Sequence, residues 1–263
     1  MPAMSKSALN RYETIRGLVM SSGHVAVKDL AREMDVSEAT VRRDLRTLAQ
    51  QQKLELVYGG ATAPRNTDQS LIARANRNMG AKSIIGRLAG ALVDDHQMLF
   101  VDAGTTCYEM RHDLLRRRGL TVIVNSTRLA IEMGSNPDAS VIMLAGQYRP
   151  DRMDLVGPLA ANSIDQLRGY VAFLGADGLD PEFGISASEI QTAFLYQHVI
   201  RNARETILLA DHTKFAAPSL YRIGDMESIS KVVTDRAPNQ EWMQFFASKE
   251  IELIYPSEPD STE

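Results

Sequence analysis

The chain has 263 residues, of which 44% are hydrophobic and 24% charged, with a net charge of −4, which is room for two ordinary soluble domains and a sizeable core. No apolar run approaches the roughly 18 residues a membrane span needs, and the opening MPAMSKSALNRYETIRG lacks the apolar centre of a signal peptide. The single cysteine, Cys107, excludes an intrachain disulfide and a four-cysteine zinc site, so the expectation is a cytoplasmic protein without a membrane partner.

Charge is unevenly spread. Residues 1–64 hold nine Lys/Arg against seven Asp/Glu, a balance of +2, and the remaining twenty basic and twenty-six acidic residues leave −6. Such asymmetry suits a small DNA-facing module on an acidic body. LNRYETIRGLVMSS places Ile15, Leu18 and Val19 on one helix face. VKDLAREM, after SGHVA, places Val27, Leu30, Ala31 and Met34 at helical spacing. DVSEATVRRDLRTLAQQ then follows, with Ser37 as an N-cap that lets the chain turn sharply after Val36. Helix, tight turn and capped helix make a helix-turn-helix.

At about 100° per residue, Val41, Leu45 and Leu48 share one stripe of that third helix. Ala39, Arg42, Arg43 and Arg46 fall on the opposite side, with Thr40 at the flank. Arginine neutralises phosphate and bonds bidentately to guanine in the major groove. Ala39 keeps the leading edge thin. Glu38 suits the first turn of the helix and can accept from cytosine. A charged helix face alone is usually only solvated; the preceding helix and turn, and the hairpin KLELVYGGATAP that follows, make this one a DNA-reading face with a wing.

TAPRNTDQSLIARANRNMGAKS, 62–83, reads as a linker entering a helix, and KSIIGRLAGALV places Ile84, Ile85, Leu88 and Leu92 on a helix face. The chain then alternates. QMLFVDAG, LTVIVNS, ASVIMLAG, YVAFLGADG, ETILLADHT, ISKVVTD and IELIYP are β-rich runs, separated mostly by helical patterns such as RLAIEMGS and SEIQTAFLYQHVIRNA. Near-continuous apolar strands with intervening helices imply a mainly parallel sheet covered on both faces. Ligands in such sheets collect at the carboxyl ends of the strands.

The polar residues at those ends form a set: Asp102, Gly104, Thr105 and Thr106; Asn125 and Ser126; Gly146; Gly175, Asp177 and Gly178; Asp211, Thr213 and Lys214. Gly104 lets backbone approach a ligand, Thr105 and Thr106 offer hydroxyls, and amides at the start of the next helix favour an anion. Lys214 adds a point charge, and Asp211 can hold it or bind a hydroxyl. Any one strand-end GTT is commonly just a cap; five polar strand ends in one sheet together suggest a pocket. The histidines show no metal-ligand spacing, only His212 lies near this set, and neither a metal nor a cofactor is expected.

Residues 27–61, with VS.ATVRRDL..L and the terminal GGA, resemble the winged-helix domain of the DeoR family of bacterial sugar-metabolism repressors. Leu56 and Val57 stand where that wing often carries a basic residue, and Tyr58 where His is common. DAGTT, VNS, LAG followed by LVGPLA, GADGLD with GIS, LLADHTKF and VVTD occur in the family's order, so the resemblance spans about residues 10 to 256. Arg74 or Arg77 followed by Lys82 resembles the family's interdomain pattern. The resemblance implies an effector domain like ribose-phosphate isomerase and coenzyme A transferase folds. It further implies a phosphorylated sugar or sugar acid as ligand, with phosphate on Gly104–Thr106, Asn125, Ser126 and Lys214 nearby, and Asp177 reading hydroxyls. AGQYRPDRMD departs from the family where a second glycine and a serine are usual; its Arg149 and Arg152 either bind a carboxylate or are solvated.

The expected architecture is α/β: a winged helix-turn-helix at 1–63, a linker at 64–80, an effector domain at 81–256 and a disordered tail at 257–263. The DNA contacts expected are Ser37, Glu38, Ala39, Thr40, Arg42, Arg43, Arg46 and Tyr58. The expected function is a non-enzymatic repressor of a carbohydrate or sugar-acid operon. Its partners would be double-stranded operator DNA, a sugar-phosphate effector and its own copies, as dimer or tetramer. Two rivals are a sugar-phosphate isomerase carrying a DNA-binding module, with Asp177, Asp211 and Lys214 as its acid–base set, and a scaffold with a vestigial pocket.

Overall fold

The computed structural model describes residues 11–15, 17–19, 24–50, 54–57, 59–62 and 71–257, with backbone only at 24, 55, 62 and 72. Tyr58, residues 63–70 of the expected linker and 258–263 of the expected tail lie outside the described residues. The chain divides into two compact units, Met1–Ala73 and Arg74–Glu263.

In the first unit, helical residues 11–15 and 17–19 (α1) are followed by β1 (His24–Ala26), α2 (Val27–Glu33), α3 (Glu38–Gln50), β2 (Glu55–Val57) and β3 (Gly60–Thr62). The three strands pair antiparallel in the order β1-β3-β2. His24–Ala26, to which the sequence reading assigned no element, thus supplies a third strand to the wing sheet. Ile15, Val19, Val27, Leu30, Val41, Leu45, Leu48, Leu54 and Ala61 form the core. The stripe Val41, Leu45, Leu48 is fully buried, as its spacing requires. Gly60 is sterically obligatory, since a Cβ there would sit 2.1 Å from the Val25 carbonyl oxygen.

The division between units falls within α4 (Leu71–Asn76), which precedes α5 (Met79–Ala91). Residues 71–80, expected as linker, are therefore largely helical: no Gly or Pro interrupts Leu71–Met79. The second unit continues with β4 (Met98–Val101), a 3-10 turn (Cys107–Met110), α6 (Arg111–Leu114), β5 (Thr121–Val124), α7 (Thr127–Met133) and β6 (Ser140–Met143). Next come β7 (Gln147–Arg149), β8 (Asp154–Val156), α8 (Pro158–Ile164), β9 (Val171–Gly175), β10 (Gly178–Asp180), β11 (Gly184–Ala187) and α9 (Ile190–Asn202). The chain closes with β12 (Glu205–Leu209), a 3-10 turn (His212–Phe215), β13 (Tyr221–Gly224), β14 (Lys231–Val233), α10 (Gln240–Ser248) and β15 (Glu252–Ile254).

The seven apolar runs become one seven-stranded sheet, β15-β14-β12-β9-β4-β5-β6, with every pairing parallel. Alternate residues feed two cores. Phe100, Ile123, Ala172, Leu174, Leu208 and Val232 pack with α8, α9 and α10 through Ile164, Leu195, Val199, Trp242 and Phe246. Leu99, Val101, Val122, Val124, Phe173 and Leu209 pack with α5, α6 and α7 through Ile85, Leu114, Leu129 and Met133. Strand order reverses between β4 and β9, which makes the gap beyond Val101 and Gly175 the topological switch point where open α/β sheets bind ligands. Two features escape periodicity: the hairpin β7–β8 and a small antiparallel sheet β10-β11-β13, whose three- and four-residue strands are too short to show a pattern.

Candidate functional sites: a helix face and a sheet edge

On α3, Ala39, Arg42, Arg43 and Arg46 are exposed, while Glu38 and Thr40 are partly so. Ser37 caps the helix: its Oγ accepts from the Thr40 amide at 3.2 Å and bonds the Thr40 hydroxyl at 2.9 Å. Asp35 takes a left-handed φ of 49°, which produces the sharp turn. Arg42 donates to Glu38 at 2.8 Å, one turn back, so these two side chains hold each other. Asp44 is the exception to the outward polar face. It is buried and accepts from Arg11 Nε at 2.8 Å, a hydrogen bond that raises the pKa of Arg11 and ties α1 to α3. Sequence periodicity missed it because Asp44 borders the apolar stripe.

At the switch point, Asp102 organises the loop. One carboxylate oxygen accepts from the Gly104 amide at 2.7 Å and from the Tyr196 hydroxyl; the other accepts from the Gly175 amide at 2.8 Å and lies 3.6 Å from Cys107 Sγ. Burial raises its pKa against the pull of those donors, and burial raises Cys107 and Tyr196 further. With its lone pairs so occupied, Asp102 ties the Gly104 loop to Gly175 and Tyr196. Gly104 and Gly175 are required there, since a Cβ on either would meet an Asp102 oxygen at 2.7 or 2.9 Å. Gly178, in β10, packs against backbone at 217–219, with 2.3 Å from a built Cβ to the Ala217 oxygen.

Asn125 is buried and accepts from the Ala103 amide at 3.0 Å; Ser126 caps α7 by accepting from Leu129 N at 3.2 Å. Thr105 is buried, with its hydroxyl 3.5 Å from the Arg74 carbonyl oxygen, and Thr106 is partly exposed. The element that follows is a 3-10 turn and a four-residue α6 instead of the regular helix expected, because Cys107 is drawn inward onto Asp102 and the Phe173 carbonyl. Helix-dipole help for an anion is correspondingly small.

Cations converge on this edge from residues the sequence associated with the junction. Arg74 lies 3.4 Å from Asp177, and Lys82 donates its ammonium to the carbonyls of Arg74 and Arg77. Lys82 is buried, and burial lowers its pKa to about 8, helped by the charges of Lys214, Arg74 and Arg77 and opposed by Asp211. The Lys214 ammonium has no hydrogen-bond partner among the described residues, and its charge reaches both Asp177 and Asp211. Asp177 accepts from the Ser188 amide and hydroxyl at 2.8 and 2.7 Å. Burial alone would raise its pKa; Arg74, those Ser188 donors and Lys214 outweigh it, and the net shift is downward. Asp211 likewise ends below its ordinary value: burial is outweighed by the Thr213 donors, Lys214 and His212. Asn78 reaches Asp211 at 3.4 Å, and His212 Nδ1 pairs with Asp235 at 2.8 Å. Arg74, Lys82 and Lys214 thus act on two carboxylates, Asp177 and Asp211, whose pKa values both end below the ordinary range.

Arg149 and Arg152 are neither solvated nor free for a carboxylate. Arg149 grips Asp154 at 2.8 and 2.6 Å and also bonds Glu189, while Arg152 pairs with Glu189 at 2.9 Å. Among the described residues, no group of three His, Cys, Asp or Glu side chains is placed to hold a metal, and no helix is long and apolar enough to cross a membrane.

The family model for the DeoR C-terminal sensor domain matches residues 77–236, and that for the DeoR-like helix-turn-helix domain matches residues 11–67. The chain belongs to the DeoR family. This DeoR-family protein is therefore a DNA-binding transcriptional regulator. It is 30% identical to the HTH-type transcriptional regulator GolR of Listeria innocua, over 88% of this chain and 91% of that one. To the glycerol-3-phosphate regulon repressor of Haemophilus influenzae it is 28% identical, over 87% and 89%. Ribose 5-phosphate isomerase A of Methanocaldococcus jannaschii is similar at 18% identity and a TM-score of 0.39, over 53% of this chain and 55% of that one, a likeness too slight to bear on the chemistry.

Proposed function

We propose that this DeoR-family regulator is a cytoplasmic repressor of a carbohydrate or sugar-acid operon, released from double-stranded operator DNA by a phosphorylated sugar or sugar acid. Two copies at least would set paired α3 helices, through Ser37, Glu38, Ala39, Thr40, Arg42, Arg43 and Arg46, into successive major grooves. The observation that carries the effector half is the cation cluster Arg74, Arg77, Lys82 and Lys214 beside the Gly104–Thr106 loop. A phosphate there takes donors from Thr105, Thr106, Lys82 and Lys214, while Asp177 and Asp211 accept from sugar hydroxyls. In doing so it competes with the Arg74 carbonyl for Thr105 and Lys82, and so loosens the end of α4. The name of the Haemophilus influenzae relative, a glycerol-3-phosphate regulon repressor, agrees with a phosphorylated small molecule.

Turnover is not part of this reading. A general base for isomerisation works best with a pKa near the operating pH, and both candidate carboxylates are shifted the other way. No cofactor is required. The test is operator affinity, on a duplex the protein itself selects from a randomised pool, against a panel of phosphorylated sugars and sugar acids. One of them should weaken binding at least about tenfold, which corresponds to about 1.4 kcal/mol of coupling. No change with any of them at millimolar concentration defeats the effector half. Sustained conversion of ribose 5-phosphate to a ketose, abolished by Lys214→Ala, would instead establish an enzyme.

A further inference from the structure

The two edges of the seven-stranded sheet differ. β15, at one edge, carries Glu252, which pairs with Lys231 of the neighbouring strand, and Pro256 follows it. Charge and proline are the usual protection of a strand whose open backbone would otherwise recruit another. β6, at the other edge, has neither: residues 139–146 hold no charge and no proline. Its Ser140 and Leu144 amides donate inward, to the Leu120 and Val124 carbonyls at 2.8 and 2.9 Å. The intervening odd-numbered residues therefore turn their amides and carbonyls outward. Two of these outward amides are taken up locally, Ala139 N by the Asn136 carbonyl and Ala145 N by Ser163 Oγ. Between them, among the described residues, no strand pairs with the outer side of Val141 and Met143. The surroundings are apolar as well. Met143 is 53% exposed and Leu159 of α8 64%; Ser163, which accepts from Ala145, donates to the Leu159 carbonyl at 2.8 Å and so holds that turn of α8 beside the edge.

We infer that β6 is the strand through which two copies of this chain join, antiparallel about a two-fold axis at Ile142, so that their sheets become one. In that register Val141 of one copy lies opposite Met143 of the other, and each such pair exchanges both backbone hydrogen bonds. Open amides and carbonyls along an extended edge are matched in spacing by another strand. Charge selects which strand. Across a two-fold axis every side chain near the axis meets its own kind, so a charged edge repels itself, whereas Val141, Ile142 and Met143 gain apolar cross-strand pairs. Register is fixed too: Val141 and Ile142 pack against the two opposite cores, and a slip by one residue would present the inward-bonded groups of Ile142. The inference deepens the proposed function and rests on it only for the requirement of two copies, which is measurable without DNA.

The experiment is sedimentation of the full chain without DNA, across a concentration series. The wild type should associate. Met143→Pro removes one outward amide at a position where an edge strand tolerates proline, and should weaken association at least about tenfold. Met143→Lys should do the same by placing like charges on either side of the axis. Ile142→Cys sets a thiol opposite its own counterpart at the roughly 4.5 Å Cα separation of a non-hydrogen-bonded pair, which a disulfide can span; the native Cys107 is buried. Mild oxidation should link this variant into dimers, and should not link Ser140→Cys, whose opposite residue is Leu144. A wild type that is monomeric at micromolar concentration overturns the inference. So does association that is unchanged in both Met143 variants, or an Ile142→Cys chain that associates like the wild type without forming the link. If the Met143 variants fail to fold, as read by Trp242 fluorescence, the link alone decides. A link that forms in a chain that selects no duplex would count against the operator reading and leave the interface standing.

Discussion

On α3 the side chains proposed to meet DNA stand in solvent, held by little more than the Arg42–Glu38 and Ser37–Thr40 contacts. At the carboxyl edge of the parallel sheet, Asp102, Thr105, Asn125, Ser126 and Asp211 are buried, and each is hydrogen-bonded within the unit, some across the edge and some as local caps. The contrast fits the partners proposed for the two units. A duplex is large and highly charged, so exposed arginines can stay hydrated until contact and gain by releasing counterions. A small anion offers few contacts, so its pocket must be prebuilt, with donors and dipoles fixed in advance. Polar residues at such an edge thus divide into those that build the pocket and those that face the ligand. Asp102, Asn125, Ser126 and Gly178 are taken up by contacts within the protein; Thr106, Asp177 and Lys214 retain exposure.

The contrast breaks most readily at Asp102. Asp102→Ala leaves the Gly104 and Gly175 amides and the Tyr196 hydroxyl without their acceptor. The expected loss is about 3–5 kcal/mol of sensor-unit stability. Urea denaturation followed by fluorescence of Trp242, the single tryptophan of the chain, reads that unit alone. A loss under about 1 kcal/mol would mean that the edge is not built on this carboxylate.

Arg42→Ala with Arg43→Ala tests the solvated face. Affinity for the self-selected duplex should fall about 10- to 100-fold, and the salt slope should lessen by one to two. Sensor-unit unfolding should stay as in wild type; a shift there would mean that the two units are not separable in this way.

A smaller effect concerns pH. The ordinary lysine value is 10.5, and in the folded sensor burial holds Lys82 at about 8. Its folded-state pKa is depressed, so its contribution to stability is fully present above about 10.5 and is lost as pH falls through about 8. A phosphate favours the protonated amine, so effector affinity should fall several-fold between about pH 7 and pH 9. Isothermal titration checks this, and Lys82→Met should flatten the profile. An unchanged pH dependence in that variant would take Lys82 out of the anion site.

The smallest change is Ser37→Ala, which removes an N-cap worth about 1 kcal/mol. Hydrogen exchange at the Thr40 amide, which donates to Ser37 Oγ, should quicken. Equal exchange rates in wild type and variant would show that the turn at Asp35, and not the cap, holds the start of α3.

Sequence alone determined what depends on neighbours along the chain. The stripe Val41, Leu45 and Leu48 and the opposite row Ala39, Arg42, Arg43 and Arg46 follow from helical period, and their burial and exposure match it. The seven apolar runs became the seven parallel strands, because residues enclosed on both faces need no alternation to be recognised. What only the tertiary structure decided depends on strands brought side by side from far apart. The pairing of β4 with β9 sets Asp102 against Gly175 and Tyr196, which gives a residue proposed for the ligand partners within the protein. The hairpin β7–β8 carries Arg149 and Arg152 into ion pairs with Asp154 and Glu189, taking up two charges that the sequence left either to a ligand carboxylate or to water. The burial of Lys82 among Arg74, Arg77, Asp211 and Lys214 likewise joins residues from either end of the sheet domain. Periodicity reports which face a residue lies on; the electrostatic state of a polar group depends on the specific partners within a few ångströms, and those are set by sheet order.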